Sequence, residues 1–286
     1  YTGKVNASGI YLGEIIQNPE LGMLSLDLNF DGQGITIEDI NAQFDGEISR
    51  LEYKGYDYDT VNLKGTIADQ SFEGEVHLAD SSLTFDFDGA VGFSEEVNDY
   101  AFDLSIEKAD LEKLNMARTE YKLVGDMSSR LSASSIDDLN GFISVKDAFV
   151  SRNGQLYPVD SLIFNASASD DTTSYQISSG FMKADFTGSF QLSALPKVIK
   201  NHFGRYFSLS DSDSIVTNGL KPQSFNFNVD IQDPSIFTYL VPNLAELRTG
   251  EIIGEYSSRD WLMNMQVEIH KLTYGGIAID SLGLDV

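Results

Sequence analysis

The sequence predicts an all-β protein, an elongated, curled and open antiparallel sheet (a β-taco, or repeating β-groove) with a few short helices. Three observations carry that expectation. Apolar and polar residues alternate with period two along most of the chain, turn-forming pairs recur, and one strand–turn–strand unit is used more than once. Period two with one apolar face is the pattern of a half-buried strand.

The alternation is clearest in five stripes. They are Leu24, Leu26, Leu28 and Phe30; Leu83, Phe85 and Phe87; Phe102, Leu104 and Ile106; Phe225, Phe227, Val229 and Ile231; and Met263, Met265, Val267 and Ile269. Between these stand Asp27, Asn29, Asp86, Asp88, Asp103, Ser105, Asn226, Asn228, Asp230, Gln266 and Glu268, which give each segment a polar opposite face. Asp31-Gly32-Gln-Gly34, Asp45-Gly46, Glu73-Gly74, Asp88-Gly89 and Asn153-Gly154 read as turns. They cut the chain into strands of roughly 5–8 residues, the lengths of an antiparallel meander.

Three segments break the alternation. Ala109–Asn115 reads as one or two helical turns. Pro196–Phe207 opens on a proline and places Val198, Ile199, His202, Phe203 and Tyr206 near one helical face. Ser235–Leu240, closed by Pro242, reads as a third short helix, and the polar run Ser208–Gly219 as a linker.

The recurring unit is best seen by setting residues 51–63 beside 272–284. Leu51, Tyr53, Gly55, Asp59, Thr60, Val61 and Leu63 match Leu272, Tyr274, Gly276, Asp280, Ser281, Leu282 and Leu284 without a gap. A looser copy stands at Tyr157-Pro-Val159-Asp160-Ser161-Leu162-Ile-Phe164, and Ile37–Ala42 matches Ile136–Gly141. The whole of 1–286 therefore reads as one continuous β-groove segment, with repeat units near 1–120, 121–220 and 221–286. Repeats of this kind build extended surfaces rather than one compact site.

Composition narrows function. With 42% hydrophobic and 22% charged residues the chain has the make-up of a folded domain, and its net charge of −25 argues against nucleic acid and against anionic membrane surfaces. There is no cysteine, hence no disulfide or thiolate metal site. The start, Tyr1-Thr-Gly-Lys4, carries neither initiator Met nor signal peptide, and the chain reads as a fragment or processed segment of something longer. No run reaches the ~20 apolar residues of a spanning helix. A transmembrane barrel also alternates, but its strands need ~9–11 residues.

Chemistry-bearing patterns are few. Asp27-x-Asn29-x-Asp31-Gly32 followed by Glu38 fits a calcium loop, but its flanks alternate as strands do, where that loop needs helices. A hairpin explains the same residues. His77, His202 and His270 lack metal-ligand spacing, and no phosphate loop, nucleophile elbow or zinc motif is present. The reading is a non-enzyme without cofactor or metal, in which the apolar stripes are the candidate working surface.

Several elements in order carry a family resemblance: Leu83-Thr-Phe85-Asp-Phe87-Asp-Gly89, Phe102-x-Leu104-x-Ile106-x-x-Ala109-Asp-Leu111, Ile136-Asp-Asp-Leu-Asn140-Gly141 and Tyr157-x-x-Asp160-Ser161-Leu162. From about Ile35 to Val286 the chain resembles the C-terminal half of the TamB (translocation and assembly module) family, AsmA-like bridge-like lipid transfer proteins. The family's N-terminal membrane anchor has no counterpart in this chain.

The resemblance implies a periplasmic rod whose concave apolar face holds phospholipid acyl chains. It further implies an inner-membrane anchor and a TamA-like outer-membrane barrel as partners. Two alternatives stay open: a chaperone or scaffold for outer-membrane strands, and an extracellular calcium-binding β-rich adhesin. Five Asp-Ser/Thr triplets, centred on Thr60, Ser161, Thr172, Ser214 and Ser281, are similar to a periplasmic O-glycosylation acceptor of some Gram-negative bacteria. Three of them belong to the repeat, which favours an architectural role there.

Overall fold

The computed structural model describes residues 1–34, 36, 38–94, 96–169, 171–203 and 221–285, without the side chains of 16, 203, 249 and 281–285. The fold is all-β, open and antiparallel, with three short helices among the described residues. The chain gathers into two compact units. Unit 1 comprises Tyr1–Ser132 with Ile143–Ser161, and unit 2 comprises Ala133–Phe142 with Leu162–Val286.

In unit 1 the strands are β1 (Thr2–Tyr11), β2 (Leu21–Gln33), β3 (Asn41–Tyr53), β4 (Tyr56–Tyr58), β5 (Val61–Ala68), β6 (Ser71–Ala79), β7 (Leu83–Gly92) and β8 (Asn98–Asp110). They pair as a meander, β1–β2–β3–β5–β6–β7–β8, with β4 on the end of β3. Strands β9 (Tyr121–Ala133), β10 (Asn140–Arg152) and β11 (Gln155–Ala168) follow. In unit 2, β11 from Leu162 onward, β12 (Thr173–Ser179), β13 (Met182–Ser189), β14 (Ser224–Ile231), β15 (Leu244–Ser257), β16 (Leu262–Tyr274) and β17 (Ile277–Asp285) pair in chain order.

Three of the five turn signals are corrected, and a fourth, Asp31-Gly32-Gln-Gly34, starts inside β2 and runs to its end, where Gly34 has a φ of 82°. Gly32, Gly46, Gly74 and Gly89 lie inside β2, β3, β6 and β7, paired with Ala42, Leu28, Gly65 and Phe102. Asn153-Gly154 turns the chain as expected, with φ of 50° and 75°. The strands are accordingly longer than expected, 13 residues in β2, β3 and β8. Strand length therefore does not separate this chain from a membrane barrel. The mid-strand glycines have a packing cause: a Cβ on Gly65 would sit 2.7 Å from the Phe72 ring and 2.5 Å from the Glu73 carbonyl oxygen.

Two expected helices form. One is α3 (Ser235–Leu240), as read from the sequence, and the other is α2 (Leu195–Phe203). On α2, Val198 and His202 are buried, but Ile199 is 39% exposed and does not share their face. The side chain of Phe203, and Tyr206 altogether, lie outside the described residues, as does the Ser208–Gly219 linker. Residue Ile37 of the Ile37–Ala42 match lies outside them too.

Ala109 and Asp110 end β8 rather than starting a helix, and the chain then closes one tight turn in which the Leu114 amide bonds to the Asp110 carbonyl. A helix absent from the sequence reading, α1 (Leu12–Ile16), joins β1 to β2. Its signal is the spacing of Leu12, Ile15 and Ile16.

The turn chemistry of the repeat holds. Lys54-Gly55, Asn153-Gly154 and Gly275-Gly276 each pair two successive positive φ angles, the geometry of a two-residue hairpin turn.

Candidate functional site

Register places the unit 1 stripes on one face. Leu26, Ile48, Val61, Leu78, Phe85 and Ile106 stand opposite one another across six strands. A second row runs Leu28, Gly46, Leu63, Val76, Phe87, Leu104, and a third Phe30, Phe44, Gly65, Gly74, Gly89, Phe102. In the third row the glycines make room for rings. Phe44, Phe72, Phe87 and Phe102 follow one another at centroid spacings of 5.9, 6.1 and 5.3 Å, within the range of favourable aromatic contact.

Unit 2 repeats the arrangement. Ala166, Tyr175, Phe186, Phe227, Gly254 and Met265 form one row; Phe164, Ile177, Ala184, Val229, Ile252 and Val267 form the next. Phe225 and Met263 face Tyr256, and Ile231 and Ile269 face Gly250.

Most of this surface is half-buried. Of the predicted stripe residues only Leu24, Phe225 and Val267 are buried; Leu26, Leu28, Phe30, Leu83, Phe85, Phe87, Phe102, Leu104, Ile106, Phe227, Val229, Ile231, Met263, Met265 and Ile269 all retain intermediate exposure. A closed sandwich interior would bury residues of these types almost fully. Covering exists locally. In unit 1, Leu114, 1% exposed, packs with Tyr58, Val61 and Leu78, with Leu83 and Phe85 against that cluster. In unit 2 the buried His202 of α2 meets the Tyr256 ring edge-on at 5.4 Å.

The opposite face is polar and acidic. In unit 1 one row reads Asp27, Glu47, Asn62, His77, Asp86, Ser105 and the next Asn29, Asp45, Lys64, Glu75, Asp88, Asp103. Between these rows lies a groove of about 790 Å³ whose wall includes Asp45, Glu47, Glu75, Asp86, Asp88 and Asp103 beside Lys64 and His77. Its carboxylates suit water and cations, not acyl chains. His77 Nδ1 lies 2.6 Å from Asp86 Oδ1 there, His270 is exposed, and no metal-binding group of three ligating residues exists among the described residues.

The calcium-loop residues are spread along β2. Asp27 and Asp31 are four apart on a strand, so about 13 Å separates them, too far to share one ion's shell of ~2.3–2.6 Å contacts. Lys4 at 2.8 Å holds Asp27, lowering its pKa, and Thr2 Oγ1 donates to Asp31.

The repeat residues form joints. Asp80, 7% exposed, accepts from Tyr56 Oη at 2.5 Å, from the Ser82 amide at 2.7 Å and from the Asp59 amide at 3.3 Å. Burial pushes its carboxyl upward, but these hydrogen bonds outweigh burial and hold the pKa below its ordinary value. Thr60 is half-buried at this joint, Ser161 is exposed on β11, and Thr172 is exposed in the β11–β12 turn, where its carbonyl accepts the Ser169 amide at 2.9 Å. Ser214 lies outside the described residues, as does the side chain of Ser281.

Sequence reading missed the contributions of β3, β5 and β6 to the apolar face: Phe44, Ile48, Val61, Leu63, Val76 and Leu78. Their signal was present as alternation continuing through a glycine. Comparisons of the chain with protein-family models, with curated proteins and with solved structures gave no match.

Proposed function

We propose that this chain is a non-enzymatic segment of a lipid conduit, in which phospholipid tails lie along the half-buried apolar face while the acidic face meets water. One observation carries the reading: three apolar rows cross β2, β3, β5, β6, β7 and β8 in register, and apart from Val61 and Leu78 under Leu114 their side chains are only half-buried. Withdrawing a tail of about 16 carbons into water costs ~12 kcal/mol at ~0.8 kcal/mol per CH₂. A continuous apolar floor removes most of that barrier without a fixed head-group site, so tails can slide.

The TamB-like order of motifs supports a periplasmic setting, with an inner-membrane anchor and a TamA-like outer-membrane barrel as the ends of the route. Photo-crosslinking tests it. Probes at Phe85, Leu104 and Phe227 are expected to capture phospholipid, and probes at Asp86 and Asn228, on the opposite face, are not. Equal capture from both faces sinks the proposal; capture of nascent barrel proteins instead of lipid would favour the chaperone reading.

A further inference from the structure

A small pocket in unit 2 differs in charge from the acidic groove of unit 1 and from the groove on its own unit's polar face, which carries Asp185 and Glu255. It has a volume of about 190 Å³, and its wall includes Val198 and Asn201 of α2, Tyr256 of β15, Lys221 ahead of β14, and Arg259 and Trp261 of the β15–β16 turn. Among the described residues no carboxylate lines it, in a chain whose net charge is −25. Asp260, beside Arg259 in sequence, is not part of the wall, and its carboxylate accepts from Ser257 Oγ at 2.7 Å. Neither Lys221 nor Arg259 is ion-paired among the described residues.

The wall is held in place by buried amides. Gln223, 1% exposed, donates from Nε2 to the Lys221 carbonyl at 2.8 Å, and its Oε1 accepts the Gln191 amide at 2.6 Å. Its own amide donates to Ser258 Oγ at 2.7 Å, and the Ser258 amide donates back to the Gln223 carbonyl at 2.8 Å. These bonds tie the Lys221 backbone to the turn that carries Arg259, which Trp261 closes with φ of 54°.

We propose that this pocket binds a phosphate ester carried on an apolar body. A guanidinium fork beside an ammonium suits phosphate oxygens. The buried Val198 and Tyr256, with the Trp261 ring, favour a carbon-bearing group over a hydrated free ion. The volume is that of about six waters at ~30 Å³ each, room for a phosphate and the carbons next to it. Tyr256 also faces Phe225 and Met263 across the sheet, so the pocket adjoins the end of the apolar face. A phospholipid head group is one source of such an ester and a soluble ester is the other. The first source rests on the tail-binding reading; the pocket itself does not.

Trp261 is the sole tryptophan of the chain, so its fluorescence reports the pocket in the unmutated protein, and titration calorimetry reads the same binding without the indole. Glycerol 3-phosphate and dihexanoyl phosphatidylglycerol, the latter below its micelle concentration, should bind saturably, and glycerol should not. Lys221→Ala with Arg259→Ala, both at exposed positions, should weaken binding at least about tenfold through the loss of two charge-assisted contacts, with the thermal melt unchanged. Tighter binding of the lipid marks the head group as the ligand. Equal or tighter binding of glycerol 3-phosphate marks a soluble ester and leaves the conduit reading untouched. Three results would each overturn the pocket: no saturable binding of either ester, equal binding of glycerol, or undiminished binding by the double variant.

Discussion

Alanine at Gly74 inverts an ordinary expectation. Replacing a strand glycine by alanine commonly stabilises by ~0.5–1 kcal/mol, because glycine loses more backbone freedom on folding. At Gly74 the added Cβ would stand 2.2 Å from the Lys64 carbonyl oxygen and 2.6 Å from Cα of Gly65. Both are backbone atoms of the paired strand, so no side-chain rotation relieves the clash. Overpacking of this kind costs ~1–3 kcal/mol, which leaves a net loss of up to ~2.5 kcal/mol after the entropic gain. Gly180 is the control, since nothing lies within 4 Å of the Cβ it would gain. Urea unfolding followed by far-UV circular dichroism reads both variants. Gly74→Ala should lower the midpoint while Gly180→Ala leaves it unchanged or raises it. If Gly74→Ala is as stable as the parent, the glycine rows are not set by close strand packing.

Other expectations follow from single residues. Leu114→Ala removes the apolar residue that covers Tyr58, Val61 and Leu78; a loss of ~2–4 kcal/mol is expected in the same unfolding assay. Asp80 has a lowered pKa in the folded state, so its stabilisation is full above the unfolded value near ~3.9 and is lost as pH falls through the folded value. Melting of Asp80→Asn against the parent should therefore show a gap that is wide at neutral pH and narrows below pH ~4. Calcium titration should leave the melting temperature unchanged, because β2 holds Asp27 and Asp31 about 13 Å apart; a rise that depends on Asp27 and Asp31 would revive the adhesin alternative.

Strand content and face assignment were legible because period two survives in the sequence whatever the pairing. Leu24–Phe30, Leu83–Phe87 and Phe102–Ile106 fall on one face, and Asp86, Asp88 and Asp103 on the other. The turns were less legible. Asp-Gly is a strong hairpin signal locally, but at Gly46, Gly74 and Gly89 the alternation runs straight through: Phe44-x-Gly46-x-Ile48, Phe72-x-Gly74-x-Val76, Phe87-x-Gly89-x-Val91. Those glycines occupy apolar-face positions, and their cause is a ring or backbone on a neighbouring strand. Register supplies that neighbour, and local sequence does not. The acidic groove was hidden for the same reason: Asp45, Glu75, Asp88 and Asp103 are far apart in sequence and align only when β3, β6, β7 and β8 pair across β5.

Tail contact with the apolar face is the central claim, and quenching by brominated phospholipid measures it directly. In a Trp261→Phe background, which removes the native indole, a tryptophan is placed either by Leu104→Trp on the apolar face or by Asp103→Trp on the polar one. Lipid brominated along its acyl chains should quench the first strongly and the second no more than free indole in the same buffer. Equal quenching at both positions, or none at Leu104→Trp under saturating lipid, would contradict the account.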